Sequence, residues 1–144
     1  MIRAIRHVGL VVIDLNQALE IWCEVLGFRI QKRLEESGAQ IDGMMGLEGV
    51  KVTTIKLMAG DGTLLELLKF HSHPSDEKWG GRACSIGITH FALTVDNIDK
   101  ICEQLSKYKV KFPGPPQYSA DGKVRVVYAS LPEGTLVELV EEQV

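Results

Sequence analysis

The chain is written twice. Lys51–Leu68 and Lys123–Val140, 72 residues apart, share seven identities in 18 positions, where ordinary residue usage gives roughly one. A second match lies at a shift of 83. "IRHVGLVVIDLNQAL" from Ile5 covers "ITHFALTVDNIDKIC" from Ile88, aligning His7 with His90, Leu10 with Leu93, Val12 with Val95 and Asp14 with Asn97. The shifts differ by 11 residues, so the first copy carries an insertion within "ESGAQIDGMMGLEGV". A unit this long, occurring twice, indicates an ancestral duplication and not a solenoid array.

Each copy has the same grammar. A strand, about Ala4–Val12 and again about Ile86–Val95, ends in an Asp or Asn suited to cap a helix; Asp14 has Gln17 three residues on, as a capping box prefers. In "LNQALEIWCEVLGF" the apolar residues Leu15, Leu19, Trp22 and Leu26 recur near a 3.6 period and stop at Gly27. Ile98, Ile101, Cys102 and Leu105 repeat that pattern in the second copy. β-rich stretches follow: "FRIQKRLE", "VTTIKLM" and "TLLELLKF", then "VRVVYASL" and "TLVELVEE", with a weaker signal around Val110–Phe112. Gly-containing turns, "AGDGT" and "LPEGT", join the last two strands of each copy. The expected fold is α+β: two tandem βαβββ modules forming an open, eight-stranded, U-shaped or barrel-like sheet with helices outside. It spans residues 1–144 as a single domain, with module one at about 1–70, a linker "HSHPSDEKWGGRA" at about 71–83, and module two at about 84–144.

Four ionisable residues sit where the pattern calls for apolar ones. Strand residues two apart share a face. Glu66 therefore lies with Leu64 and Leu68, Glu138 with Leu136 and Val140, His7 with Ile5 and Gly9, and His90 with Ile88 and Ala92. An unpaired buried charge costs several kcal/mol after relaxation, and four such penalties consume most of a domain's stability. One shared divalent cation satisfies two imidazoles and two carboxylates at once. A lone strand Glu or His is usually a surface or hydrogen-bonded structural residue; recurrence of all four at matched positions favours the metal. Borderline N and hard O donors suit Ni, Co, Zn, Mn or Fe(II) and argue against calcium.

Composition removes other classes. A net charge of −3 with scattered basic residues leaves no footprint for nucleic acid. No apolar run approaches the ~20 residues of a membrane span, and "MIRAIRHVGLVV" lacks a signal-peptide pattern. Cys23, Cys84 and Cys102 are odd in number, without a CxxC pair, and fit a reducing cytoplasm.

With its signatures "HVGLVVIDLNQALEIWCEVLGF", "GTLLELL", "ITHFALTVDNID" and "GTLVELV", essentially the whole chain resembles the vicinal oxygen chelate superfamily, which includes glyoxalase I, methylmalonyl-CoA epimerase, extradiol dioxygenases and antibiotic-resistance proteins. The resemblance implies metal ligands His7, Glu66, His90 and Glu138, with Glu138 and Glu66 as catalytic carboxylates. It implies a metal-dependent isomerase, epimerase or lyase acting on a small oxygenated metabolite, and a homodimer. Two alternatives stay open: a non-haem Fe(II) dioxygenase, and a non-catalytic protein that binds an antibiotic or other small molecule. Weaker candidates are Arg125, Tyr128 and Lys56, which alternate on strands near the glutamates, and the His71/His73 pair in the linker. The "DGMMGLEG" insertion reads as a cleft lid, as core packing or as a dimer contact. Trp22 reads as core.

Overall fold

The computed structural model describes every residue except Asp76, which falls in the expected linker and so lies outside the described residues. The chain divides into two compact units, Met1–Asp76 and Glu77–Val144. Unit one runs β1 (Val8–Val11), α1 (Leu15–Leu19, continuing as a π-helical segment over Glu20–Val25), β2 (Arg29–Ser37), α2 (Ala39–Met45), β3 (Lys51–Met58) and β4 (Leu64–Phe70). Unit two runs β5 (His90–Thr94), α3 (Ile98–Leu105, with a 3₁₀ turn over Ser106–Tyr108), β6 (Gln117–Tyr118), β7 (Val124–Ser130) and β8 (Leu136–Glu142). Each unit holds one four-stranded mixed sheet, ordered β1-β4-β3-β2 and β5-β8-β7-β6. In both, the first strand lies parallel to the last and the rest are antiparallel.

The repeat extends to individual hydrogen bonds. Ala59 N–H donates to the Thr63 carbonyl and Gly62 N–H to the Ala59 carbonyl; Leu131 donates to Thr135 and Gly134 to Leu131. Gly62 (φ 88°) and Gly134 (φ 94°) supply the positive φ these turns require. The helix caps also match the sequence pattern. The Asp14 carboxylate accepts from Gln17 N at 3.0 Å, and the Asn97 side-chain oxygen accepts from Lys100 N at 2.9 Å.

Alternation sorts each sheet into two faces. In unit one Leu10, Ile55, Leu57, Leu65 and Leu67 are buried on one side, the registers Leu10↔Leu67 and Ile55↔Leu67 aligning three of them across the sheet. Ala18, Ile21 and Trp22 of the first helix are also buried, and Trp22 meets Phe28 edge-on at 5.2 Å. The opposite face carries Glu66. The insertion forms α2, and Ile41, Val50 and Val52 make a small core there with Met45, Leu68 and Phe70 packed against it. The Asp42 carboxylate ties down the return from α2, accepting from Gly49 N and Val50 N at 2.9 Å each. The insertion is thus core packing in its Ile41 and Met45, whereas Met44 stays 68% exposed.

Three expectations need correction. The first strands are shorter than the pattern suggests: β1 begins at Val8 and β5 at His90, because their partners β4 and β8 begin only at Leu64 and Leu136, so residues before His7 and before His90 have nothing to pair with. Ile5 and Ile88, the expected face neighbours of the histidines, are accordingly 89% and 90% exposed. The first helix passes from 3.6-residue to π geometry, with Leu26 N donating to the Ile21 carbonyl five residues back. The weak stretch Val110–Phe112 contributes one bridge, Lys111↔Ser130, and the short β6 lies further on. Among the described residues no helix is long and apolar enough to cross a membrane.

Unit two buries Val127, Ala129, Val137 and Leu139 with Ile98 and Leu105 of α3. A polar group closes the helix start: Glu141 accepts from Ile98 N at 2.6 Å, and Arg125 forms a two-pronged bond to Asp99 at 2.8 and 2.9 Å. The Ile98 hydrogen bond, then that from Gln143, holds the Glu141 carboxyl below the usual range, and Arg125 does the same for Asp99. Both folded-state pKa values lie below the unfolded ones. Their stabilisation is therefore fully present above the ordinary carboxylate pKa, roughly 4, and is lost as pH falls through the folded values. Unfolding midpoints measured from pH 7 down to pH 3 are expected to drop less steeply in Glu141→Gln, which keeps an acceptor without the charge. An equal slope in both proteins removes Glu141 from the account.

Candidate metal centre

Each unit presents one imidazole and one carboxylate on the face away from its main helix. In unit one Glu66 lies across from Gly9 on β1, and His7 stands directly before that strand. His7 Nε2 is 3.7 Å from Glu66 Oε1, with side chains 30% and 17% exposed. In unit two Glu138 lies across from Ala92, and His90 opens β5. His90 Nε2 is 3.2 Å from Glu138 Oε2, with side chains 30% and 22% exposed. The two half-sites match in residue type, strand position and exposure.

These distances bear on whether a metal fits. Two donors bound to one cation at ~2.1 Å, separated by angles between square and tetrahedral, lie roughly 3.0–3.5 Å apart. The His90–Glu138 separation falls inside that span and the His7–Glu66 separation just beyond it, so small side-chain rotations suffice. Within neither unit do the described residues gather three or more His, Cys, Asp or Glu side chains that could hold a metal ion. Each unit by itself brings together two candidate ligands.

The surroundings differ between halves. His90 Nδ1 hydrogen-bonds Thr89 Oγ1 at 2.8 Å, which leaves Nε2 as the ring nitrogen turned toward Glu138. Tyr128, opposite Glu138 in the β7–β8 register, brings its hydroxyl within 3.3 Å of His90 Nε2 and stacks edge-on to the imidazole at 4.8 Å. In unit one the residue matching Tyr128 is Lys56, opposite Glu66. Among the described residues His7 Nδ1 is buried without a hydrogen-bond partner, so that ring is not held from behind as His90 is.

Of the weaker candidates, Tyr128 and Lys56 stand on the carboxylate faces. Arg125 does not. Three residues from Tyr128, it has the opposite parity, and its guanidinium is committed to Asp99 and lies 5.5 Å from the centre of the Tyr118 ring. His71 Nε2 bonds Thr53 Oγ1 at 2.7 Å and His73 Nδ1 bonds Ser72 Oγ at 2.9 Å, so these two rings have structural partners. Sequence reasoning misses Thr89 because the first copy has Arg6 at its matched position. It also misses Lys32 and Thr54, which line an open pocket of about 260 Å³ together with Glu66, because no repeat or motif marks them.

Comparison with known proteins decides the family. The profile of the Glyoxalase/Bleomycin resistance protein/Dioxygenase superfamily matches residues 4–139. The chain belongs to that superfamily. Among curated relatives of this glyoxalase-superfamily chain, the 2-epi-5-epi-valiolone epimerase of an Actinomyces species is 28% identical over 150 residues, covering 95% of this chain and 78% of the relative. Among solved structures, a glyoxalase family protein from Bacillus cereus superposes with a TM-score of 0.87 at 24% identity, covering 100% of this chain and 97% of the other. A mutant of the fosfomycin resistance protein FosX from Listeria monocytogenes, complexed with Mn(II) and 1S,2S-dihydroxypropylphosphonic acid, gives 0.65 at 16% identity, covering 96% and 90%. The superfamily includes many enzymes, and its fold accounts for the paired βαβββ units.

Proposed function

We propose that His7, Glu66, His90 and Glu138 together ligate one divalent cation, and that the protein is a metal-dependent isomerase, epimerase or lyase moving a proton next to a carbonyl of a small metabolite. The observation that carries this reading is the recurrence of an imidazole nitrogen beside a carboxylate oxygen, at 3.7 and 3.2 Å, at matched positions of both units. The epimerase relative supports the reaction class, and the Mn(II) bound to the FosX mutant supports the kind of ion. Ni, Co, Zn, Mn and Fe(II) all suit the donor set.

When bound, the cation supplies Lewis acidity, drawing charge from a substrate oxygen and lowering the cost of an enolate. The protein's groups do the rest. Glu138 acts as general base and Glu66 as its counterpart. A proton returned to the opposite face of the same carbon gives epimerisation; one returned to the adjacent carbon gives a glyoxalase-type isomerisation. Thr89 holds the His90 ring in one orientation, and Tyr128 offers a hydroxyl beside the same ring. A cytoplasmic homodimer completes the proposal.

Elemental analysis of protein purified without chelator, then metal reconstitution, tests it. About one bound ion per chain is expected, with solvent-deuterium exchange into methylmalonyl-CoA or the methylglyoxal–glutathione adduct, if either is the substrate, stopping on chelation. No stoichiometric binding of any of the five metals would overturn the reading. Oxygen consumption with Fe(II) and a catechol would replace it by a dioxygenase.

A further inference from the structure

The face of unit one that carries Glu66 has a feature the metal reading does not use. Along β2 the pairing with β3 shifts between Ile30 and Lys32, so that Gln31 is an extra, unpaired residue. Without that bulge Gln31 would oppose Lys56, and Lys32 would point to the face of Ile55. With it, Lys32 lies directly across from Lys56, which in turn lies across from Glu66. Two lysines opposed on neighbouring strands repel and weaken a sheet. Neither forms an ion pair among the described residues. Of the carboxylates on this face, Glu66 lies across from Lys56 and 3.7 Å from His7, and Glu36 accepts from Thr54 Oγ1 at 3.1 Å; Lys32 has only Lys56 across the ladder from it.

Both lysines line the open pocket with Thr54, Leu34, the exposed Met44 and the carboxylates Glu36 and Glu66. Its volume of about 260 Å³ falls below the range of roughly 300–1,000 Å³ typical of drug-sized ligands. Glu66 offsets the charge of Lys56 across the β3–β4 ladder, whereas Lys32 has a second ammonium opposite it, so an anion held between the two lysines would relieve their repulsion.

We propose that Lys32 and Lys56 form an oxyanion subsite that binds the carboxylate or phosphate of a small metabolite, whose aliphatic part packs on Leu34 and Met44. The subsite names the substrate class of the reaction proposed above, and rests on that reading only in making Glu66 the reacting end of the pocket. The bulge at Gln31 is the device that turns the second cation inward. Lys56 alone would leave an anion held at one point; the pair holds it at two and orients the carbon chain toward Glu66.

The test is an amide chemical-shift titration of the full chain, in chelator, with inorganic phosphate and separately with propionate. Saturable shifts centred on Lys32, Leu34, Thr54 and Lys56 are expected for at least one probe, and the tighter probe identifies the oxyanion. Lys32→Gln and Lys56→Gln should each weaken that binding by about fivefold, the scale of one exposed charge contact, with Lys32→Arg restoring it. The same spectra report whether each variant is folded. Non-saturating shifts spread over surface lysines, or unchanged binding in the folded Lys32→Gln/Lys56→Gln double variant, overturn the subsite. Because the titration is metal-free, a failure of the metal reading leaves its result intact, and normal metal binding with no titration response removes the subsite alone.

Discussion

Glu138→Gln is expected to keep the fold and to lower proton exchange on the true substrate by about 10²–10⁴-fold, the usual contribution of a positioned general base. Glutamine has nearly the same shape, and Glu138 is one of the β8 residues paired on both sides, to β5 and to β7, so the backbone should hold. What disappears is the negative oxygen 3.2 Å from His90 Nε2. That atom has two proposed duties, and two measurements separate them. Metal content reports ligation; deuterium wash-in under saturating metal reports proton transfer. Glu66→Gln should behave alike, with the smaller loss if Glu138 is the principal base. Full exchange activity in Glu138→Gln would withdraw that role from Glu138, whatever happened to the metal.

The largest stability effect is expected from Leu67→Ala. Leu67 is fully buried at the centre of its sheet, across from Leu10 on β1 and Ile55 on β3. Truncation removes apolar area from between neighbours that cannot close the gap, at a cost of about 2–5 kcal/mol. For a chain of this size that corresponds to a fall in unfolding midpoint of roughly 6–15 °C. Val11→Ala is the control. Val11 lies on β1 beside Leu10 but on the other face, 58% exposed, and its loss should stay within about 0.5 kcal/mol. Similar midpoints for the two variants in thermal melts would contradict the assignment of faces. Leu139→Ala makes the matched cut in unit two, and separate transitions for Leu67→Ala and Leu139→Ala would show the units melting independently.

Both pairs of candidate ligands are legible in the sequence because the chain records them twice. Glu66 and Glu138 stand within matched hairpins, and His7 and His90 at matched strand starts, so the repeat itself distinguishes them from isolated polar residues. The caps at Asp14 and Asn97 and the turns at Gly62 and Gly134 are legible for another reason. Each is closed by hydrogen bonds spanning four residues or fewer, and nearby residues suffice to specify such bonds.

What only tertiary structure decided depends on partners distant in sequence. Where β1 and β5 start is set by where β4 and β8 begin, since a strand without a ladder partner is not a strand. Arg125 has the sequence position of a substrate contact, yet its side chain turns to Asp99, 26 residues away, on the helix side. Lys32 shares the face of Glu66 only because of an unpaired residue in a ladder whose register is fixed by β3. Sequence alone thus determined the duplication, the turns, the caps and the matched placing of the candidate ligands, which follow from local hydrogen bonding and from the chain matching itself. The strand limits, the face each charge occupies and the pocket beside Glu66 were decided by pairing and packing between remote segments, which no local pattern encodes.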